Sequence, residues 1–128
     1  MKILIDAVKV RSVRKETNDC SVLAVMAATG CSYKKAWEAL RSVGRLKGEG
    51  ASQFQMISAV KRLGWTAMGF APLGKVTLAK VAKDRSKGRI IAYTHDHAIA
   101  IKDGAIYNTW NIHGKTLIMG FFDIKETA

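Results

Sequence analysis

The chain has 128 residues, 48% of them hydrophobic and 24% charged, a balance that is typical of a folded domain and excludes a disordered one. Its 21 lysines and arginines against 10 aspartates and glutamates give a net charge of +11. That charge favours an acidic protein or a nucleic acid as partner, with a merely solvated basic surface as the alternative. The two cysteines, Cys20 and Cys31, lack the spacing of a disulfide framework, which favours a reducing, cytoplasmic setting.

The first ten residues do not resemble a secretion signal, because Asp6 and Lys9 interrupt a short apolar stretch and no small-residue cleavage site follows. No apolar run approaches the roughly 20 residues that a membrane span needs. We therefore expect one domain over residues 1–128, a monomer or small oligomer that does not bind a membrane.

The amino-terminal half predicts one strand, over residues 3–10, followed by three helices. The first helix, about 19–29, has Asp19 as its N-cap and ends at Gly30. Its residues are apolar on nearly every side, so we expect it to be enclosed by the rest of the protein. Ser32 and Ser52 cap the next two helices, and the last helix carries an apolar stripe made of Phe54, Ile57, Val60 and Leu63.

After Gly64 the pattern changes to strands. Asp103-Gly104, between two apolar runs, predicts a tight hairpin, and Thr77 caps a short helix over 76–84. Helices first and strands later predict an α+β fold, in which a central cysteine-bearing helix packs on a carboxy-terminal antiparallel sheet. Residues 65–71 alternate loosely, and four later segments are rich in β-branched and aromatic residues, namely 89–94, 97–104, 105–110 and 116–124.

Three residues form a candidate catalytic set. Cys20 begins a helix, where backbone N–H groups and the helix dipole stabilise a thiolate. His97 begins an apolar strand, and alternation places it on the face of Ile99 and Ile101. Pairing across the predicted hairpin brings Asn108 within reach of the imidazole, which it can orient through one ring nitrogen. His95 shares the face of His97 and is the alternative base.

Here the sequence resembles papain-like cysteine hydrolases, notably the small bacteriocin-leader peptidases and, more weakly, compact phage-encoded relatives. The likeness covers roughly residues 16–110 and is carried by "NDCSVLAVMAATGCSYKKAWEAL" and "HAIAIKDGAIYNTW". It implies a papain-like fold and a peptide or protein substrate. It also implies that Cys20 is the nucleophile, His97 the general base and acid, and Asn108 the orienting residue, acting through a thioester acyl-enzyme. A phage-encoded member would act in the host cytoplasm.

Two residues depart from that family's pattern. Asn108 stands where leader peptidases have aspartate, which preserves ring orientation but stabilises an imidazolium less well. Arg14 stands where the oxyanion-hole glutamine is expected, so Asn18 is the candidate replacement beside the Cys20 N–H. Loss of one oxyanion donor typically costs on the order of 100- to 1000-fold in rate.

Other hypotheses remain open for the same residues. The ordinary structural alternatives are a packed thiol for Cys20, a turn residue for Asn18 and a turn position for His113. Zinc ligation by His95, His97 and a cysteine is chemically suitable, but the spacing matches no established zinc pattern. The hydrolase hypothesis requires no metal or cofactor. Its rival is a catalytically inactive protein of the same fold that binds an acidic protein or a nucleic acid through its basic surface.

Overall fold

The computed structural model describes residues 2–11, 16, 18–70, 75–109 and 112–127. Its helices are α1 (Ala7–Arg11), α2 (Cys20–Thr29), α3 (Tyr33–Ser42), α4 (Gln53–Arg62) and α5 (Leu78–Asp84). Its strands are β1 (Lys2–Leu4), β2 (Trp65–Phe70), β3 (Val76–Thr77), β4 (Arg89–Tyr93), β5 (Ala98–Lys102), β6 (Ala105–Asn108), β7 (Leu117–Ile118) and β8 (Gly120–Glu126). The predicted α+β class is confirmed.

One mixed sheet of six strands, in the order β1-β6-β5-β4-β8-β2, forms the middle of the protein. The pairs from β6 to β2 are all antiparallel, as predicted, whereas β1 pairs with β6 in parallel. The expectation of a purely antiparallel, carboxy-terminal sheet is therefore wrong at this edge. The parallel pair arises because the first strand of the chain lies beside β6, where the Ile5 N–H also donates to the Asn108 carbonyl.

The predicted strand over residues 3–10 is correct only for its first part. Strand β1 ends at Leu4, and α1 begins at Ala7. Asp6 causes the change, because its Oδ1 accepts a hydrogen bond from the Lys9 N–H and its carbonyl accepts one from Val10. An aspartate that accepts hydrogen bonds from the free N–H groups of a first turn favours the start of a helix, even where the apolar pattern that follows resembles a strand.

Two apolar layers cover the sheet. Helices α2, α3 and α4 pack on one face, against residues such as Ala98 and Ala100, and α5 packs on the other, against Ile99 and Ile101. The predicted alternation along β5 is thus confirmed. Helix α2 is enclosed as expected, and seven of its ten residues are buried.

The ends of α2 are set by local features. Gly30 ends the helix with a φ of +78°, and its N–H donates to the Met26 carbonyl. The Arg89 guanidinium, on β4, donates to the Ala28 carbonyl at 3.0 Å. Because this arginine satisfies a terminal carbonyl that has no partner within the helix, the end of α2 is fixed to the sheet.

Most predicted caps and turns are confirmed. Ser32, Ser52 and Thr77 each accept a hydrogen bond from a backbone N–H of the first helical turn, and Ser52 forms a full capping box with Gln55. Asp103 and Gly104 both have positive φ, as a tight hairpin requires. Phe54 departs from the predicted stripe, since 72% of its surface is exposed. The buried residues of α4 are instead Met56, Ala59 and Val60.

Candidate active site

The candidate nucleophile, Cys20, is the first residue of α2, as predicted. Asp19 is the N-cap and its carbonyl accepts from the Leu23 N–H, but its side chain makes no cap hydrogen bond. The carboxylate instead accepts from the Tyr33 hydroxyl at 2.8 Å, and both side chains are buried. This bond holds the residue before Cys20 against α3.

The environment of the Cys20 sulfur is only partly the one expected. Burial raises the pKa of the thiol above its ordinary value of 9.0. Hydrogen bonds from the backbone N–H groups of Ala98 and Ser21 lower it and offset only part of that rise. The neutral thiol is therefore the resting form favoured by burial. The backbone of Ala98, the residue that follows His97, is therefore near the sulfur.

The candidate base, His97, lies directly before β5 and is half-buried. It lines the same cleft as Cys20, so the predicted proximity of the two residues agrees with the structure. The face predicted for His97 from the alternation with Ile99 and Ile101 stays a prediction.

Asn108, at the end of β6, contacts the imidazole of His97. Its Oδ1 lies 2.9 Å from His97 Nε2. Since an amide oxygen only accepts hydrogen bonds, Nε2 carries the proton and Nδ1 keeps the lone pair that a general base needs. The Asn108 amide nitrogen is buried and has no hydrogen-bond partner among the described residues. A buried amide left half-satisfied costs stability, and the bond to His97 offsets part of that cost.

The protonation of His97 follows from the same surroundings. Burial lowers the pKa of the imidazole from its ordinary 6.5, while the hydrogen bond to Asn108 and the charge of Asp96 raise it to a smaller extent. Near neutral pH the ring is therefore neutral. Burial opposes the thiolate–imidazolium pair that the position of Cys20 at a helix start predicted, and it favours a neutral thiol beside a neutral base.

The cleft around these residues has two parts. The larger cavity, about 460 Å³, extends toward the loop before α4 and the turn after β4. The smaller cavity, about 240 Å³, extends toward Leu23 and Thr109. Four residues line both parts, namely Asn18, Cys20, Asp96 and His97. Cys20 and His97 thus lie between the two cavities, and an extended chain that occupied both cavities would pass these residues.

Asn18, the predicted oxyanion donor, is held in an unusual conformation. Its φ is +50°, its Nδ2 donates to the Gly48 carbonyl at 3.0 Å, and its own carbonyl accepts from Arg45 at 3.5 Å. One amide hydrogen is used by Gly48, and the other is the one available to an oxyanion. The structure brings Asn18 into the cleft wall beside Cys20, and its role in the oxyanion hole stays a prediction.

The alternatives named from the sequence are less well placed. His95 is exposed in the turn after β4, although it lines the larger cavity. His113 accepts a hydrogen bond from the Lys115 N–H in a turn. Within the described ranges, no three His, Cys, Asp or Glu side chains are grouped as metal ligands would be. Arg14 lies outside the described residues.

Sequence reasoning missed a buried network beneath the cleft. Glu16 accepts hydrogen bonds from Trp37 Nε1 at 2.6 Å, from Arg45 Nη1 at 3.3 Å and from the Gly48 N–H at 2.6 Å. The available signal was one glutamate directly after a basic run, next to the motif that contains Cys20. That signal is weak, because a glutamate in such a run is usually solvated.

Comparison of the chain with protein-family models, curated proteins and solved structures gives no match. The papain-like resemblance therefore stays a hypothesis that depends on the motifs and on the geometry of the cleft. In the part of the chain that the structure describes, every helix is too short or too polar to cross a membrane.

Proposed function

We propose that the protein is a cysteine-dependent hydrolase of papain-like type that cleaves an amide bond, most simply a peptide bond. In this proposal Cys20 is the nucleophile, His97 the general base and acid, and Asn108 the residue that orients His97. The observation that carries the proposal is the 2.9 Å contact between His97 Nε2 and Asn108 Oδ1, in a cleft that Cys20 also lines. It leaves the other ring nitrogen available to the reaction.

The resting protonation state determines the first chemical step. His97 Nδ1 removes the thiol proton as the Cys20 sulfur attacks the carbonyl carbon, and the carbonyl oxygen becomes an oxyanion. The Cys20 N–H lies in the first turn of α2 and lacks an intrahelical partner, so it is one oxyanion donor. Asn18 Nδ2 is the proposed second donor.

The cycle then completes with the same groups. The protonated imidazole gives its proton to the leaving nitrogen, the C–N bond breaks and a thioester remains on Cys20. His97 next takes a proton from a water molecule, which attacks the thioester carbonyl and releases the acid. The sulfur recovers its proton from the imidazole. Asn108 keeps the ring in one orientation through both halves.

Alkylation of the two cysteines tests the proposal without knowledge of the substrate. With iodoacetamide at about pH 7, we expect Cys20 to react faster than Cys31 despite its raised pKa, because His97 takes the thiol proton as the sulfur attacks the reagent. The variant His97→Ala should remove the difference, and His113→Ala, at a histidine outside the cleft, should preserve it. Equal and slow labelling of both cysteines in the unmodified protein would contradict the proposal.

A peptide library analysed by mass spectrometry supplies the catalytic test. Cleavage products should form with the unmodified protein and disappear with Cys20→Ala, while Cys31→Ala should retain the activity. The covalent intermediate is a thioester, so rapid acid quenching should trap a peptide fragment on Cys20. Absence of any cleavage together with slow thiol labelling would reject hydrolysis.

A second candidate function is favoured by two features of the site. Burial raises the pKa of the Cys20 thiol, and Asn18 already donates to Gly48. Both fit a protein that keeps the cleft without catalysis and binds an acidic protein or a nucleic acid through its net charge of +11. Retention on heparin that falls steeply with salt, in a protein without peptide cleavage, would support this function.

A further inference from the structure

We infer that the cleft selects a polypeptide with a lysine or arginine next to the scissile bond, and that Asp96 is the residue that recognises this cation. The inference rests on the proposed hydrolase function and names its substrate class. Asp96 is exposed and lines both cavities that meet at Cys20 and His97. A substrate side chain on either side of the scissile bond therefore passes this carboxylate.

Among the described residues, the charge of the cleft lining is opposite to the net charge of the chain. The sequence has 21 lysines and arginines, yet none of them is among the described residues that line either cavity. The other carboxylate in the lining, Asp19, is 2% exposed and bonded to Tyr33, so it is not presented to a ligand. Of the described residues that line the two cavities, Asp96 is thus the one whose carboxylate is exposed to an incoming peptide.

The carboxylate of Asp96 is also not neutralised by the protein. Asp84 pairs with Lys80 at 3.2 Å, and Asp123 pairs with Arg85 at 2.9 Å. Among the described residues Asp96 has no such cation, and its Oδ1 accepts only a long 3.4 Å bond from the Thr94 hydroxyl. In a protein with a large excess of cations, an unpaired carboxylate at the centre of the cleft is available to a cation of the substrate.

Asp96 also acts on His97, and the two effects need separate readouts. Its charge raises the pKa of the neighbouring imidazole, so its removal will move the pH profile whatever the substrate. Such tuning changes the hydrolysis of lysine and glutamate peptides by the same factor. Recognition of a substrate cation instead changes the ratio of the hydrolysis rates of the lysine and glutamate peptides. The ratio is therefore the quantity that tests the inference.

Charged thiol reagents measure the local charge at Cys20 without any catalysis. The probes are trimethylammonium-ethyl methanethiosulfonate, which is cationic, and sulfonatoethyl methanethiosulfonate, which is anionic. We expect the cation-to-anion rate ratio to be higher at Cys20 than at Cys31, which reports the charge of the protein elsewhere. Asp96→Asn should lower the ratio at Cys20 on the order of fivefold, and Asp84→Asn, outside the cleft, should not.

The substrate test compares matched peptides with lysine, glutamine or glutamate on either side of the cleaved bond. The unmodified protein should give the highest kcat/KM with lysine, Asp96→Asn should remove the preference, and Asp96→Lys should favour glutamate. Two results would overturn the inference and leave the hydrolase proposal intact. One is hydrolysis without the preference for lysine, and the other is an unchanged cation-to-anion rate ratio at Cys20 in Asp96→Asn. No hydrolysis of any peptide rejects the hydrolase function, while the reagent ratio still decides whether Asp96 sets the charge of the cleft.

Discussion

Arg45 Nη1 lies 3.3 Å from Glu16 Oε2, and both side chains are almost completely shielded from water. The pair joins the segment before Cys20 to the loop after α3. Arg45 also donates to the Asn18 carbonyl at 3.5 Å. The Gly48 N–H donates to Glu16, and the Gly48 carbonyl accepts from the Asn18 side chain. The conformation of Asn18 thus depends on an ion pair beneath the cleft.

Replacing Glu16 with glutamine should destabilise the protein strongly. The Arg45 charge would stay buried without its counter-charge, and removal of one partner of a buried pair costs about 3–5 kcal/mol. Urea unfolding followed by tryptophan fluorescence measures the change. Asp84→Asn, in the exposed pair with Lys80, is the control and should cost less than about 1 kcal/mol. A Glu16→Gln protein as stable as that control would show that the pair is unimportant.

The titration of His97 should respond to Asn108 in opposite directions in two variants. Asn108→Ala removes the hydrogen bond that raises the pKa of the imidazole, so the pKa should fall further below 6.5. Asn108→Asp adds a carboxylate and should raise the pKa, since an opposite charge favours the imidazolium. NMR titration of the ring protons, assigned with His95→Gln and His113→Gln, measures both. Identical titration in the two variants would disprove the contact.

The stability of the protein should rise with pH just below neutrality. The unfolded chain protonates His97 near 6.5, whereas the folded protein protonates it only at lower pH. Between these values the unfolded state binds more protons, so the free energy of unfolding falls as the pH falls. His97→Gln should flatten this slope in urea unfolding between about pH 5 and 7. Loss of the slope in His113→Gln instead would assign it to another histidine.

At alkaline pH the stability of the protein should change with pH in the opposite direction. Burial, followed by the hydrogen bond to Asp19, raises the pKa of Tyr33 above its ordinary 10.0. Above that pH the unfolded chain loses a proton that the folded protein keeps, so stability falls as the pH rises. Tyr33→Phe should lower stability at neutral pH by about 1.5–3 kcal/mol, because a buried carboxylate loses its donor, and should make the alkaline slope shallower. Tyr107→Phe, outside this contact, should change neither quantity.

Gly30→Ala should cost about 1 kcal/mol, because the residue has a φ of +78°. Space is not the cause, since the added methyl carbon would lie 3.7 Å from Arg89 Nη1, an ordinary contact. Gly69→Ala, in β2, is the control, because its added carbon meets no atom within 4 Å and its φ is not positive. Thermal unfolding compares the two variants, and equal midpoints would contradict the strain argument.

Local features of the sequence determined the elements and their ends. Ser32, Ser52 and Thr77 act as caps because a hydroxyl and the N–H groups it satisfies lie within one turn of each other. Asp103-Gly104 determined the hairpin and its register for the same reason, with Ala100 opposite Tyr107. The sequence also determined that Cys20 begins an enclosed helix, since that depends on the order of apolar residues alone.

Only the tertiary structure decided the surroundings of those residues. Alternation gave the faces of the β5 residues, but only the folded chain brings His97 and Cys20 into one cleft. The local N–H groups at the helix start favour a thiolate, whereas burial against distant elements raises the pKa of the Cys20 thiol. The Glu16–Arg45 pair joins residues far apart in the chain, and no local pattern encodes its burial. Local hydrogen bonds can be predicted from residues that are neighbours in the sequence, whereas the desolvation of a side chain depends on the packing of the whole protein.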